Sequence, residues 1–442
     1  MKKFLALFFL TGIISKPELE LYWSTNEILS TPIFSKVMPR NRFEIIWSYF
    51  HVNDNEARPA DDTDRLYKVR PVLDHLVTKF RELYNPGQNI SIDEGMLLWR
   101  GRLTFRVYNP AKPVKYGIKS YILADSQSGY CWFLKPYCGV GATVGDTVVE
   151  LLGRLVNQGY ILYMDNYYNS VRLAHRLLDL DTHVCGTLRK FRGEPPEIRD
   201  LSNADLDVGG VVARHDGSVL CIGWRDKRIV KMVTTVHQDT MTEVHVRERG
   251  RADRVAKMKP TCITQYNASM NGVDRVDQNI QYYPFVRKSV KWTKKFVMYL
   301  FQIAIYNSFI IYKARNPQGK YKTLLDFTLD IIHSWITVHP DNDSSDNDSS
   351  DGGDDNDGGA QPVQHTPRAP ARDPGTRLDK KAKKHVLSAI AGTIKKKYPS
   401  RRCRVCMRRG LRGETRYICQ SCAVPLHKGE CFATYHSTQK YY

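Results

Sequence analysis

Four acidic side chains stand where they could share one task. Asp93 closes the apolar run Ile90-Ser-Ile-Asp-Glu94, and Asp165 closes Tyr160-Ile-Leu-Tyr-Met-Asp165, each where a strand passes from the core to the sheet edge. Asp274 and Asp277, in Asn271-Gly-Val-Asp-Arg-Val-Asp-Gln278, are three residues apart and share one face of a helix. Clustered carboxylates repel one another unless divalent cations neutralise them, and hard oxygen donors favour Mg²⁺ or Mn²⁺. Two such ions about 3.5–4 Å apart can activate a water or a 3′-hydroxyl and stabilise the leaving oxygen of a phosphodiester. Taken singly, each Asp also fits an ordinary cap or a surface charge.

A second chemistry sits at the other end. Cys403-x2-Cys406 and Cys419-x2-Cys422 are separated by twelve residues, and His427, Cys431 and His436 follow. Paired thiolates at this spacing are tetrahedral Zn²⁺ ligands. A single ribbon would use the four paired Cys; a crossed arrangement of two zinc ions would couple Cys403 and Cys406 with His427 and Cys431. The crossed form leaves Cys419, Cys422 and His436 one ligand short. Five of the ten Cys fall in this segment, the others being scattered through apolar stretches, which favours metal in a reducing compartment over a disulfide framework.

The elements that must position the acids alternate in a definite order. Strands are expected at Asn89 to Ile92, Tyr116 to Ala124 and Tyr130 to Pro136, then a helix from Asp146 to Asn157, the strand Tyr160 to Met164, a helix at Val171 to Leu178 and the strand His183 to Leu188. Residues 1–88 read as helical, 190–262 as a small β-rich insertion, and 263–340 as helical again. Residues 341–400 form a linker, acidic and then basic, before the cysteine-rich domain at 401–442. The run Phe296 to Tyr312 reads as a buried core helix because it carries Gln302, Asn307 and Ser308. The start of the chain, with its Lys-Lys and Phe-Leu-Ala-Leu-Phe-Phe-Leu, imitates a signal peptide but lacks a small-residue cleavage site. An apolar helix with nothing before it implies that a domain begins upstream of Met1.

Charge narrows the partner. The net charge is +20, with about +13 on residues 1–340, eight Asp and no base between 341 and 360, and 19 basic against 4 acidic residues from 361 onward. Both the body and the tail therefore suit a polyanion. Arg100, Arg102, Arg106, Lys112, Lys115 and Lys119 follow the first acidic strand and could hold phosphates there. Asn166 and Tyr167 follow Asp165 and could touch bases. Arg287, Lys288, Lys291, Trp292, Lys294 and Lys295 form a second patch, in which Trp292 could stack on an unpaired base or simply pack in the core. Arg401, Arg402, Arg404, Arg408, Arg409 and Arg412 surround the first Cys pair and offer a DNA contact, with histone reading as the other option. Lys380 to Lys384 and Lys395 to Lys397 have the composition of nuclear-import signals.

In its wording the chain resembles the piggyBac transposase family along nearly its whole length. The matching segments are Tyr22-Trp-Ser-Thr25, Phe34-Ser-Lys-Val-Met-Pro-Arg-Asn-Arg-Phe43, Ile92-Asp-Glu94, Arg100-Gly-Arg102, Phe105-Arg-Val-Tyr108, Lys112-Pro-Val-Lys-Tyr-Gly-Ile-Lys119, Met164-Asp-Asn166 and Gly272-Val-Asp-Arg-Val-Asp277. The resemblance implies an α/β fold: a ribonuclease H-like catalytic core with a mixed five-stranded sheet, a β-rich insertion, flanking helical segments and a small zinc-binding domain. By motif, the three metal-binding aspartates fall on Asp93, Asp165 and Asp274, with Asp277 as the fourth acid. It also implies nicking of double-stranded transposon ends, hairpin formation, joining into TTAA targets, a homodimer, a nuclear location and the crossed zinc arrangement. Family members carry an acidic segment and the start of a DNA-binding domain before the point where Met1 stands, which leaves open a host-retained copy that binds DNA or chromatin without moving it. No membrane partner is expected.

Overall fold

The computed structural model describes residues 1–337, apart from 111, 113, 140–141, 248–252, 285–288 and 322, and further on residues 373, 378, 385–390 and 399–441. The acidic linker at 341–360, both lysine runs, Arg287 and Lys288 lie outside the described residues. Two units are distinguished, residues 1–344 and 345–442.

The first unit opens with the helices α1 (Lys2–Ile13), α2 (Pro32–Val37), α3 (Arg40–Tyr49) and α4 (Arg70–Leu83). Strands β1 (Asn89–Leu98), β2 (Val107–Tyr108), β3 (Tyr116–Asp125) and β4 (Cys131–Pro136) follow, then α5 (Val144–Leu152), β5 (Ile161–Met164), α6 (Val171–Leu178) and β6 (His183–Thr187). Next come α7 (Pro196–Arg199), β7 (Val211–His215), β8 (Leu220–Arg225), β9 (Ile229–Thr234), β10 (Met241–Arg247) and β11 (Arg254–Pro260). Four helices complete the unit: α8 (Thr261–Ser269), α9 (Gly272–Tyr282), α10 (Trp292–Arg315) and α11 (Leu324–Thr337).

β4 and β2 both pair with β3, and from there the sheet runs β3-β1-β5-β6-β9-β8-β7. β1, β3 and β4 are antiparallel, whereas β5 and β6 run parallel to β1, each reached through a helix. Those five strands have the ribonuclease H-like order. The sheet has nine strands rather than five because β7, β8 and β9, expected as an insertion, join it through antiparallel pairing of β9 with β6. β10 and β11 pair with each other as a separate ribbon.

Two apolar cores share α10. Its Phe296, Leu300 and Ile303 belong to the sheet core with Ile122 and Trp132. Its Met298 and Ile305 pack with Phe4, Leu7 and Phe8 of α1, Phe43 of α3 and Ile332 of α11. A helix buried on opposite faces needs no polar stripe, which explains its long apolar run. The signal-like start of the chain is likewise core: Phe4 lies 4.7 Å from Phe43, and Phe9 lies 5.5 Å from Trp335, ring centre to ring centre.

The second unit is small. It comprises β12 (Leu387–Ala389), β13 (Arg401–Arg402), α12 (Arg404–Arg408), β14 (Glu414–Thr415), β15 (Tyr417–Cys419), β16 (Val424–Pro425) and α13 (Glu430–Ser437). Its core is little more than Val405, Val424, Leu426, Tyr435 and the cysteines.

Candidate active site and metal centres

Register brings the first two acids together. β1 and β5 are parallel with Ile92 opposite Met164, so Asp93 and Asp165 follow as neighbours. Asp93 does not close its strand: β1 continues to Leu98, still paired with β3. Gly95, within this continuation, is a place of close approach. A Cβ on Gly95 would stand 2.6 Å from Ile122 Cδ1, 3.1 Å from the Tyr299 hydroxyl and 3.6 Å from Asp277 Oδ1. One on Gly272, at the start of α9, would stand 2.4 Å from Ser91 Oγ. The helix bearing Asp274 and Asp277 therefore lies against the face of β1 that carries Ser91, Asp93 and Gly95, since alternate residues share a face.

Asp165 is held by its own turn. The Tyr167 N–H donates to Asp165 Oδ1 at 2.9 Å. Asn169, fully buried, donates through Nδ2 to the carbonyls of Met164 (2.8 Å), Thr187 (3.1 Å) and Asp165 (3.2 Å), tying the ends of β5 and β6 together behind the acid. Nothing in the sequence marks Asn169 for this task. Asn166 accepts at 2.6 Å from Arg189 Nε.

The acids share a cation. Lys112, expected on a phosphate, has its Nζ 3.6 Å from Asp93 Oδ1 and donates to the Glu94 carbonyl at 3.4 Å. Burial pushes the Asp93 carboxyl up to about 6 and that of Asp277 up to about 7, with Lys112 opposing the rise in both. Burial raises Asp165 too. Burial alone would lower Lys112, but Asp93, Glu94, Asp277 and Asp274 together outweigh it and raise its pKa. Asp274 is exposed. The carboxylates are hard oxygen donors, as a divalent-ion site needs, and an ammonium now stands beside one of them.

The expected phosphate contacts separate into two groups. Arg100, Arg102, Arg106 and Lys115 are exposed on the β1–β3 connection. Arg100, Arg106 and Lys115 border a groove of about 530 Å³ floored by Leu98 and Tyr116. Lys119 is turned away from this group. It pairs in register with Met96, so it lies on the Glu94 face, bonded to Glu94 at 3.2 Å and standing over the Tyr121 and Tyr167 rings at 4.5 and 4.8 Å. On the other flank of Asp165, a groove of about 510 Å³ is lined by Asn166, Lys190, Arg228 and Lys231; its three cations come from two separate connections and from within β9, so no local pattern joins them.

The second patch is partly structural. Lys294 is buried and donates to the carbonyls of Trp47 and Ser48 at the end of α3. Trp292 is half-buried and sits edge-on to Phe105 at 5.4 Å, fastening the basic connection to α10, while Lys291 is exposed. In the second unit Arg404 is also removed from solvent, beside Asp373 at 3.5 Å. Arg408 and Arg409 are exposed, Arg409 meeting Glu430 at 3.3 Å.

Two four-ligand groups form in that unit. Cys403, Cys406, His427 and Cys431 make one; Cys419, Cys422 and His436 make the other with His385. His385 completes the set that the sequence left one short. It stands 18 positions before Cys403 at the end of a lysine run, outside any paired-cysteine spacing. Cys406 Sγ lies 3.8 Å from Cys431 Sγ and 3.4 Å from His427 Nδ1; Cys422 Sγ lies 3.4 Å from His385 Nδ1 and 3.5 Å from His436 Nε2. With Zn–S near 2.3 Å and Zn–N near 2.0–2.1 Å, the edges of a tetrahedron are about 3.8 Å (S–S) and about 3.6 Å (S–N), so these groups fit zinc and not a disulfide. The second ring nitrogens are engaged, His427 Nε2 with the Glu414 carbonyl (3.0 Å) and His436 Nδ1 with that of Phe432 (2.8 Å), leaving the other nitrogen of each ring to face the thiolates.

Comparison with known proteins identifies the family. Residues 1–309 match the family described as Transposase IS4, and residues 380–437 match the DDE_Tnp_1-like zinc finger. The human PiggyBac transposable element-derived protein 3 is 26% identical over 76% of this chain and 58% of its own length; the human PiggyBac transposable element-derived protein 2 is 26% identical over 71% and 55%. The chain thus spans somewhat more than half the length of these relatives. A cryo-EM structure of the piggyBac transposase synaptic complex with hairpin DNA superposes with a TM-score of 0.67 at 26% identity, covering 76% of this chain and 70% of that one. The transposase model covers well over half of the chain, and with these relatives and this neighbour the chain belongs to the piggyBac transposase family.

Proposed function

We propose that the chain is a metal-dependent DNA-cleaving and strand-transferring enzyme of the piggyBac type, using Asp93, Asp165 and Asp274 to hold two Mg²⁺ or Mn²⁺ ions, with Asp277 beside them. The observation that supports this reading is the β1–β5 register, which sets Asp93 beside Asp165, together with the seating of α9 on β1, which puts Asp277 against Gly95. When bound, the ions supply an activated water or 3′-hydroxyl and stabilise the leaving oxygen. The protein's own part is positional. Asn169 fixes the turn of Asp165, the exposed Arg100, Arg102, Arg106 and Lys115 hold backbone phosphates beside the acids, and Asn166 faces the nucleotide next to the bond broken. In the second unit the interleaved ligands support two Zn²⁺ ions, with Arg408 and Arg409 offered to DNA. Joining into TTAA sites, action as a homodimer on two transposon ends and residence in the nucleus belong to the same reading.

The test is direct. Zinc-loaded protein with Mg²⁺ or Mn²⁺ and terminal-repeat DNA is expected to release nicked and hairpinned ends, and Asp165→Asn to abolish this while leaving binding intact. A second reading, a host-retained DNA- or chromatin-binding derivative, is favoured by the human relatives, which are named as transposable element-derived proteins. Binding without cleavage in either metal would select it.

A further inference from the structure

Lys112 lies where a metal-binding pocket would not ordinarily place an ammonium. Its chain neighbours are Asn109-Pro-Ala-Lys and Pro-Val-Lys115, a basic stretch with no acid. Yet its Nζ is 3.6 Å from Asp93 Oδ1 and bonded to the Glu94 carbonyl, with less than a third of the side chain exposed, while Arg100, Arg102 and Lys115 of the same connection remain in solvent. Asp277 comes from α9 onto the same face of β1 as Asp93, its Oδ1 3.6 Å from where a Gly95 Cβ would stand. So many carboxylates around one centre cannot all stay ionised without a positive charge among them. The chain supplies one of its own.

We propose that the Lys112 ammonium is an internal counter-cation of the acid cluster, which a divalent ion must displace and which then becomes available to a substrate phosphate. This rests on the metal-site reading given above. Both the ammonium and the ion neutralise the same oxygens, so they compete, and the protein binds its first ion more weakly than its donor set alone would. In exchange, the cluster keeps its shape before metal arrives. Displacement also couples metal entry to DNA capture, because the freed Nζ is carried on the connection that bears the phosphate-binding arginines.

The experiment measures Mn²⁺ uptake by the full chain, zinc-loaded, from the loss of the free-ion EPR signal. Lys112→Met is expected to bind Mn²⁺ about ten-fold more tightly than the unaltered protein, while Lys112→Arg, which keeps the charge, stays within about three-fold of it. Should Lys112→Met not fold without metal, the pair Asp277→Asn and Lys112→Met/Asp277→Asn makes the same comparison with one fewer acid, and the double variant is expected to bind more tightly. Asp93→Asn is the control. Uptake that Asp93→Asn weakens but that is equal with and without Lys112 would overturn the counter-cation and leave the metal site standing. Uptake that Asp93→Asn leaves untouched would overturn the metal site, and this proposal with it.

Discussion

Removing the Asn169 amide should loosen the candidate site more than it empties the core. The side chain is 1% exposed, and its two Nδ2 hydrogens serve three carbonyls, those of Met164, Thr187 and Asp165. In Asn169→Ala all three carbonyls lose this donor, but that of Asp165 keeps the Tyr168 and Asn169 N–H groups, so two go without, at about 1–3 kcal/mol each, and about 3 kcal/mol is expected. For a unit of this size that is a fall of roughly 5 °C in Tm. All seven Trp lie at or before Trp335, so tryptophan fluorescence follows the first unit alone. Asn169→Asp should be worse than Ala, since it keeps the volume but turns acceptors toward three carbonyl oxygens. Cleavage should drop at least about ten-fold, because a displacement near 1 Å at a reacting group is costly, while DNA affinity, carried by the exposed arginines, stays the same. An Asn169→Asp protein as stable as Asn169→Ala, or more so, would show that the residue merely fills space and would refute the argument.

Other expectations concern packing, protons and zinc. Gly95→Ala pushes a methyl toward Ile122 Cδ1 and the Tyr299 hydroxyl, so a loss of about 1–2 kcal/mol is expected in denaturant melts, with cleavage falling further because Asp277 is the next atom met. Asp93 and Asp277 are raised by burial, to about 6 and about 7, from an ordinary 3.8. In that interval they hold protons when folded and lose them when unfolded, so their contribution to stability is present below pH 4 and is lost as pH rises toward 7. Fluorescence melts in Mg-free, zinc-containing buffer should therefore give a lower Tm at pH 8 than at pH 5.5, and Mn²⁺ should recover much of the difference at pH 8; a profile indifferent to both counts against the cluster. His385→Ala should reduce bound zinc from two ions per chain to about one or fewer by elemental analysis, whereas retention of two would exclude His385 as a ligand.

Much of the sheet could be read in advance because strand alternation and helical period are local. The helix at Val171–Leu178 and the strands around Tyr116, Cys131 and Ile161 stand where their patterns place them. What escaped was set by partners far along the chain. That β7 to β9 extend the sheet depends on β9 pairing with β6, and β1 looks finished at Ile92 until its pairing with β3 runs on to Leu98. Lys112 and Lys119 belong to one basic motif, yet one meets Asp93 and the other is turned to Glu94 and a ring of tyrosines. Charge type is visible in a sequence, but the face it occupies is decided by register. His385 was hidden for a similar reason, since a ligand contributed from a remote β-strand flank leaves no spacing to read.

The contact of α1 with α11 has a consequence of its own. Phe9 and Trp335 meet across more than three hundred residues, so the opening and closing helices of the first unit form a single clasp. Trimming either end strips the apolar stripe of the other, and both deletions should fray the same layer around Met298 and Ile305. A truncation series begun from one terminus would therefore report on the opposite one, and a tag threaded onto α1 would be felt first at residue 335.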